Sequence, residues 1–202
     1  MGVSLQKGQK ISLEKEAGGG LTRVIMGLGW DAVKTPAKSG FLGGLFGGGN
    51  AAAGDDIDLD ASCVLFDDQA TLQDVVWFRQ LASRDGSIHH SGDNRTGAGE
   101  GDDEQIQVDL SKVPGTIKSL VFTVSNYTGQ DFSRVQNAFC RIVNAGDQTE
   151  IARYDLSCQG THTAMIMVKL YRHNNEWKMH AIGENCQGRT FDQLLPQIMP
   201  HL

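Results

Sequence analysis

The sequence predicts an all-β protein, an antiparallel β-sandwich of two sheets with a short C-terminal helix. Runs of β-branched and aromatic residues, several of them alternating with polar residues, recur along most of the chain. Turn-forming pairs such as Asp85-Gly86 and Asn174-Asn175 separate these runs. Many short strands divided by such turns are typical of a two-sheet sandwich.

Ten segments are predicted as strands. They cover residues 11–13, 22–28, 57–66, 74–78, 105–110, 117–125, 138–143, 149–156, 163–171 and 177–182. The helix is predicted near the end of the chain, where apolar residues have helical spacing: Phe191, Leu194, Leu195 and Ile198. Thr190 and Gln193 fit a capping box at its start, and Pro196 is expected to shorten or bend it.

The length of the chain predicts one domain over residues 1–202, because 202 residues suffice for one full hydrophobic core. A glycine-rich insertion at about residues 33–54 is expected to form a surface loop. Four large apolar residues in it could tuck against the body or contact a partner or a bilayer: Phe41, Leu42, Leu45 and Phe46.

Composition narrows the class of protein. A net charge of −6, with no basic stripe interleaved with aromatic residues, argues against a general nucleic-acid binder. The first residues lack the apolar core of a signal peptide, and no apolar run approaches a membrane span, so we expect a cytoplasmic protein. Cys63, Cys140, Cys158 and Cys186 are too widely spaced for the common zinc signatures and indicate reduced thiols. Cys63, within an apolar run, is expected in the core.

Acidic residues are concentrated between positions 55 and 104. This segment holds 13 of the 24 acidic side chains but only three of the 18 basic ones. Carboxylates held together need a counter-charge, because like charges a few ångströms apart repel one another. Calcium supplies one, since it binds many oxygens at once from carboxylates, amides and backbone carbonyls. A solvated acidic loop is the alternative interpretation.

Two patterns within this segment favour a metal site. On an extended strand Asp56, Asp58 and Asp60 share one face, about 7 Å apart, a spacing that suits two neighbouring metal positions. Residues 93–104 interleave glycines with oxygen donors, and glycine lets backbone carbonyls turn inward around an ion. The loop is not an EF-hand, because Arg95 and Gly97 stand where that motif needs donors and Ala98 where it needs glycine.

Four motifs carry a family resemblance: Gly-Leu-Gly-Trp-Asp at 27–31, Asp-Ile-Asp-Leu-Asp-Ala-Ser at 56–62, the acidic glycine-rich stretch at 92–104, and Glu-Ile-Ala-Arg-Tyr-Asp-Leu at 150–156. Together they resemble the TerD-type family of bacterial tellurium-resistance and stress-response proteins, over nearly the whole chain. The resemblance implies a β-sandwich that binds two calcium ions, in a cytoplasmic protein with no established enzymatic activity, and we expect that it is not an enzyme. The insertion at about 33–54 departs from the common pattern.

The predicted metal ligands combine these motifs with Asp31, which is expected to enter from a third loop. The full set is Asp31, Asp56, Asp58, Asp60, Asp93, Asn94, Thr96, Gly97, Glu100, Asp102, Asp103 and Glu104. We expect calcium to bind more tightly than magnesium, which demands octahedral geometry and gives up water reluctantly.

Other motifs fit less well. Residues 27–32 match the dinucleotide pattern G-x-G-x-x-A, but the helix that must follow would have to form before Pro36. Trp30 is expected in the core. The histidines match neither a zinc-protease motif nor the partner of a nucleophile elbow, and we expect them at the surface or at strand edges: His89, His90, His162, His173 and His180.

These patterns predict a calcium-binding regulatory or scaffolding module of a tellurite and stress-resistance system. Its expected partners are other proteins of that system, with the inner membrane surface as a place of contact, and not nucleic acid. Two other classes stay open. One is a calcium-dependent membrane-docking module, and the other is a metal-dependent hydrolase, for which the sequence offers no convincing base or nucleophile.

Overall fold

The computed structural model of the chain describes residues 2–32, 58–92, 101–156 and 159–202. In chain order its strands are β1 (Val3–Ser4), β2 (Lys10–Ser12), β3 (Arg23–Ala32), β4 (Leu59–Phe66), β5 (Leu72–Val76), β6 (Ile88–His90), β7 (Glu104–Asp109), β8 (Ser119–Asn126), β9 (Val135–Asn144), β10 (Glu150–Asp155), β11 (Ala164–His173) and β12 (Glu176–Cys186). The α-helices are α1 (Leu13–Glu16) and α2 (Phe191–Ile198), and short 3-10 turns cover Phe132–Arg134 and Met199–His201.

The strands form two six-stranded sheets. The first sheet has the order β1-β10-β9-β3-β7-β6, and the second has the order β2-β12-β11-β8-β4-β5. Strand β1 pairs with β10 in parallel, whereas the other pairings in the described chain are antiparallel. The predicted two-sheet sandwich is therefore confirmed.

Side-chain alternation divides each strand between two environments. In β4, Leu59 and Cys63 belong to the main core between the sheets, while Val64 and Phe66 point to the outer face of the second sheet. Helix α2 covers that outer face with Leu194 and other apolar residues. Because both faces of β4 are covered, all eight of its residues are buried.

The C-terminal helix was predicted from its apolar spacing, and the structure confirms it. It runs to Ile198, the last residue of the predicted apolar spacing, with Pro196 inside it, so Pro196 does not shorten it relative to that spacing. The predicted capping box is wrong, because the Thr190 hydroxyl donates to Asp192 and makes no capping bond. The Gln193 amide oxygen instead accepts the Arg189 N–H at 2.8 Å, one residue before the N-cap.

Each of the ten predicted strands is present with shifted ends, and the hairpin turn at Asn174 and Asn175 has the positive φ angles of a type I′ turn, 51° and 62°. The prediction missed β1, β6 and α1, because elements of two to four residues are too short to show a periodic pattern. Residues 33–57 are outside the described ranges, and so is the predicted insertion loop. No helix in the described ranges has the length and hydrophobicity needed to span a bilayer.

Candidate metal site at the acidic end of the sandwich

The motif at residues 27–31 lies within β3, and its glycines make room for the acidic segment that leads into β7. A side chain at Gly27 would collide with the Asp102 carboxylate, and one at Gly29 would collide with the Phe139 ring and the Gly101 carbonyl. The Asp103 N–H donates to the Leu28 carbonyl at 2.8 Å, which holds this segment against β3. The glycines therefore serve close packing, and the uninterrupted strand rules out the dinucleotide motif.

The three consecutive acidic residues 102–104 have different surroundings. Asp102 is buried, with 1% of its side chain exposed, and it is held by Arg141 of β9. The Arg141 Nε and Nη2 atoms donate to Asp102 Oδ1 and Oδ2 at 2.7 and 3.2 Å, and Gln105 Nε2 donates to Asp102 Oδ2 at 3.1 Å. The pKa of Arg141 is raised, first by its hydrogen bond to Asp102. Sequence reasoning missed Arg141, because nothing in its local pattern distinguishes it from a surface arginine.

Glu104 is also buried, where it completes the hydrogen bonding of β4. Strand β5 pairs with β4 only as far as Cys63, so the backbone groups of Ala61 have no strand partner on that side. The Ala61 N–H donates to Glu104 Oε2 at 2.7 Å, and His90 Nε2 lies 3.3 Å from the Ala61 carbonyl. His90 Nε2 and Glu104 Oε2 are 3.4 Å apart. Glu104 therefore joins the two sheets.

The expected placement of the histidines at the surface or at strand edges is wrong for His162, and for His90 it holds only in that β6 is an edge strand. His90 is buried beside Glu104, and His162 is buried with its ring packed edge-on against Phe132 at 5.0 Å. His89 and His173 are exposed, as expected. His90 was misjudged because β6 was missed, and within that strand its side chain points inward.

Asp103 and Asp31 face an open cleft. Asp31 is the next-to-last residue of β3, so it lies in a strand and not in a loop as predicted. Its Oδ2 accepts a hydrogen bond from Asn137 Nδ2 at 2.7 Å. Asp103 Oδ2 accepts the Trp30 N–H at 2.9 Å. The cleft has a volume of about 290 Å³ and is lined by Trp30, Asp31, Gly101, Asp103, Asn137, Phe139 and Arg153. Trp30 itself is buried, which confirms its expected place in the core.

The surroundings of Asp103 disfavour the charged form of its carboxyl group. Burial raises the pKa of the Asp103 carboxyl, and the neighbouring charges of Asp31, Asp102 and Glu104 raise it further, against the Trp30 hydrogen bond that lowers it. The guanidinium of Arg153, at the rim of the cleft, is engaged elsewhere. It donates to Asp155 at 2.8 Å and lies 3.8 Å from the centre of the Phe139 ring.

Asp58 and Asp60 lie where β4 begins. Asp60 is buried, pairs across the sheet with Ser125, and points away from the core that Leu59 and Ala61 enter, as the alternation predicted. Asp58 lies one residue before the strand. The contact between Ala61 and Glu104 brings this end of β4 against the start of β7.

Six predicted ligands lie outside the described residues: Asp56, Asp93, Asn94, Thr96, Gly97 and Glu100. Within the described ranges, no group of three or more His, Cys, Asp or Glu side chains is arranged to hold a metal ion. Asp31 and Asp103, with the Asn137 amide and the Gly101 carbonyl, supply a partial set of oxygen donors that suits calcium. Asp102 and Glu104 already have protein partners, which argues against them as ligands, although their assignment stays a prediction.

The cysteines show no sign of thiol chemistry in the described chain. Cys63, Cys140 and Cys186 are buried free thiols, and Cys158 lies outside the described residues. Burial, with a smaller contribution from Asp155, raises the pKa of the Cys140 thiol to about 12. Burial and then Asp74 raise the pKa of Cys63 well above its usual value. Neither thiol forms a thiolate readily, and the expected place of Cys63 in the core is confirmed.

Comparison with known proteins identifies the family. The TerD domain profile matches residues 1–197. Tellurium resistance protein TerZ of Serratia marcescens is 49% identical over 199 residues, which cover 98% of this chain and 97% of TerZ. Stress response protein SCP2 of Bacillus subtilis (strain 168) is 40% identical over 202 residues, which cover 96% of this chain and 98% of SCP2.

Two solved structures share the fold. A protein of unknown function, SAV2460, matches with a TM-score of 0.66 at 22% identity, over 87% of this chain and 97% of that one. A homologue of telluride resistance protein TerD from Streptomyces coelicolor A3(2) matches with a TM-score of 0.65 at 20% identity, over 84% of this chain and 92% of that one. The chain therefore belongs to the TerD family of tellurium-resistance and stress-response proteins.

Proposed function

We propose that this protein is a cytoplasmic calcium-binding module with a regulatory or scaffolding role in tellurite and stress resistance. The observation that carries the proposal is the oxygen-lined cleft at the end of β3. Asp31 and Asp103 both line this cleft, and the negative charge of Asp31 raises the pKa of Asp103. The proposed role is binding, with no catalytic step. One of two expected calcium ions would be held here, with Asp31 and Asp103 supplying carboxylate oxygens.

The chemistry of the cleft favours calcium over other metals. Its described donors are carboxylate, amide and carbonyl oxygens, with neither sulfur nor imidazole among the lining residues. A hard cation with flexible coordination suits such donors, whereas zinc prefers nitrogen and sulfur and magnesium demands a strict octahedron. A divalent ion would also supply positive charge beside Asp103, whose neighbours Asp31, Asp102 and Glu104 are all acidic.

Calcium occupancy would couple two parts of the first sheet. Asp31 is the next-to-last residue of β3, and Asp103 lies just before β7, which pairs with β3. An ion bound to both would offset the repulsion between the two carboxylates and add to the hydrogen bonds that hold these elements together. The state of this edge of the sandwich would then report calcium concentration to a partner protein. This is the physical basis of the proposed regulatory role.

Calorimetry with calcium, magnesium and zinc tests the metal site. Calcium should bind more tightly than either other metal, and Asp31→Asn and Asp103→Asn should each weaken one calcium site by at least tenfold, since each removes a charged ligand. Asp68→Asn is the matched control, because Asp68 is exposed and makes no described hydrogen bond. Tighter zinc or magnesium binding, or full calcium binding by both variants, would contradict the proposal.

Asp67, another acidic residue outside the predicted metal motifs, is unsuitable as that control. Its Oδ1 accepts the N–H groups of Gln69 and Thr71 at 2.9 and 2.8 Å and so shapes the turn between β4 and β5. The hydrogen bond from Thr71 is the main reason that the pKa of Asp67 is lowered. Replacing Asp67 would change stability for a reason unrelated to metal.

A pull-down from lysate with calcium or with chelator tests the proposed output. Proteins of the tellurite-resistance system should be retained with calcium and lost with chelator, and Asp103→Asn should behave like the chelated protein. Asp68→Asn should retain the same partners as the unchanged chain. Partners that bind equally under all these conditions would remove the regulatory part of the proposal while leaving metal binding to be judged by calorimetry.

A further inference from the structure

A row of basic residues crosses the outer face of the second sheet. Lys169 of β11 lies directly opposite His180 of β12, and His180 lies directly opposite Lys10 of β2. Residues paired in this way project from the same face, with Cβ atoms about 5 Å apart. On the other side Lys169 is paired with Val121, which packs under α2, so the row lies on the face that α2 partly covers.

The charge of this row is not neutralised within the described chain. Lys169 is only 9% exposed, and its ammonium donates to the backbone carbonyl of His201 and lies 5.1 Å from the centre of the Tyr171 ring. No carboxylate of the described residues forms a salt bridge with Lys10 or Lys169, whereas Lys7 and Lys112 each have one. A buried ammonium without an anion is costly, because burial removes the water that would solvate it.

The pKa shifts of Lys169 and His180 agree with the close spacing of these basic residues. Burial lowers the pKa of Lys169, and the nearby Lys10 lowers it further. Burial also lowers the pKa of His180 to about 4, followed by the charges of Lys10, Lys169 and His201. On its own strand Glu176 and Lys178 precede His180 on the same face, and the Glu176 carboxylate accepts from the Ser12 hydroxyl at 3.0 Å.

We propose that Lys10, Lys169 and His180 form a binding site for a small divalent oxyanion of the sulfate or phosphate class. The two ammonium groups would donate charge-assisted hydrogen bonds to the anion, and His180 would take up a proton as the anion binds. The near-complete burial of Lys169 favours a small anion, because a flat membrane surface could not approach its ammonium.

This site is separate from the acidic cleft, which is lined by residues on or next to strands of the first sheet, whereas the row lies on the second sheet. The row lies level with Val64 of β4, since Val64 pairs with Val121 and Val121 pairs with Lys169. Val64 is four residues from Asp60, or about 13 Å along the strand. A simpler interpretation is that Lys169 only caps the C-terminal segment through the His201 carbonyl. That interpretation assigns no role to Lys10 or His180, and so the two can be distinguished.

A sulfate titration followed by histidine NMR tests the site, because sulfate keeps its charge across the pH range in which histidine titrates. The His180 ring signals should shift on binding, and the pKa of His180 should rise when sulfate is bound. Lys10→Ala should weaken sulfate binding by about tenfold, the worth of one charge-assisted hydrogen bond. Lys10 is exposed, so this variant should fold normally.

Lys118→Ala is the matched control, because Lys118 is also exposed and has no described carboxylate partner. It should bind sulfate as the unchanged chain does, and sodium chloride at equal ionic strength should not shift the His180 signals. An unresponsive His180, or equal sulfate binding by Lys10→Ala and Lys118→Ala, would overturn the proposal. Binding is also measured with inorganic phosphate and with vesicles that contain phosphatidic acid. Binding to the vesicles alone would also overturn a small-anion site.

Discussion

The acidic end of the sandwich and the basic row on its outer face both gather like charges, but the fold compensates them differently. At the acidic end, Arg141 neutralises Asp102 and His90 contacts Glu104, while Asp31 and Asp103 remain in an open cleft. On the outer face no described carboxylate pairs with the row, and its histidine has a pKa of only about 4.

The difference separates structural charges from charges available to a ligand. A buried carboxylate that already has a cation and hydrogen bonds stabilises the fold, and removing its partner leaves an uncompensated charge. A charge that lines an open cleft, or that lies beside like charges, can instead be compensated by a bound ion. The two regions therefore respond to different changes, and four experiments test that division.

The largest effect is expected from Arg141→Met, which would leave the buried Asp102 carboxylate without its cation. We expect a loss of about 3 kcal/mol in the free energy of unfolding, measured by urea denaturation in chelator. Lys7→Met is the control, since the Lys7–Glu184 pair is largely exposed and is expected to contribute less than about 1 kcal/mol. If both variants lose equally little free energy of unfolding, a group other than Arg141 compensates the charge of the Asp102 carboxylate.

Calcium should stabilise the fold through the cleft. An ion that binds only the folded state adds about 2.7 kcal/mol at a hundredfold excess over its Kd, so chelation should lower the melting temperature by several degrees. Asp103→Asn should lose most of the calcium-dependent increase while retaining the stability of the chelated protein, because it removes a repelled charge. Superimposable melting curves with calcium and with chelator would show that the acidic end is a solvated surface.

Sequence reasoning predicted the strands well because alternation is a local signal. It could not assign the acidic residues at 102–104 to separate roles, since all three look alike in sequence. Their roles depend on Arg141 and His90, which reach them only through the pairing of β3 with β9 and of β6 with β7. The basic row was missed for the same reason, because Lys10 and Lys169 are neighbours only through β12.

A smaller effect is expected from Glu104→Gln, which distinguishes a structural role from metal ligation. Gln can still accept the Ala61 N–H but removes the carboxylate beside His90, so we expect a loss of about 1–2 kcal/mol. Calcium affinity measured by calorimetry should be unchanged. A loss of calcium binding as large as that of Asp103→Asn would show that Glu104 is a calcium ligand. The distinction between structural carboxylates and ligand carboxylates would then be wrong.

The smallest effect concerns pH and the basic row. The folded pKa of His180, about 4, is below its ordinary value of 6.5, so the unfolded chain binds more protons between these values. The contribution of His180 to stability is therefore complete above pH 6.5 and is lost as the pH falls through that window.

His180→Gln should remove this part of the pH dependence in urea denaturation, whereas His173→Gln, at an exposed hairpin, should not. Sulfate should reduce the loss in the unchanged chain, because a bound anion favours the protonated ring. If His180→Gln follows the same pH profile as the unchanged chain, the imidazole is not held neutral by its burial and by the charges of Lys10, Lys169 and His201. The contrast between the two charged regions would then be wrong for the basic row.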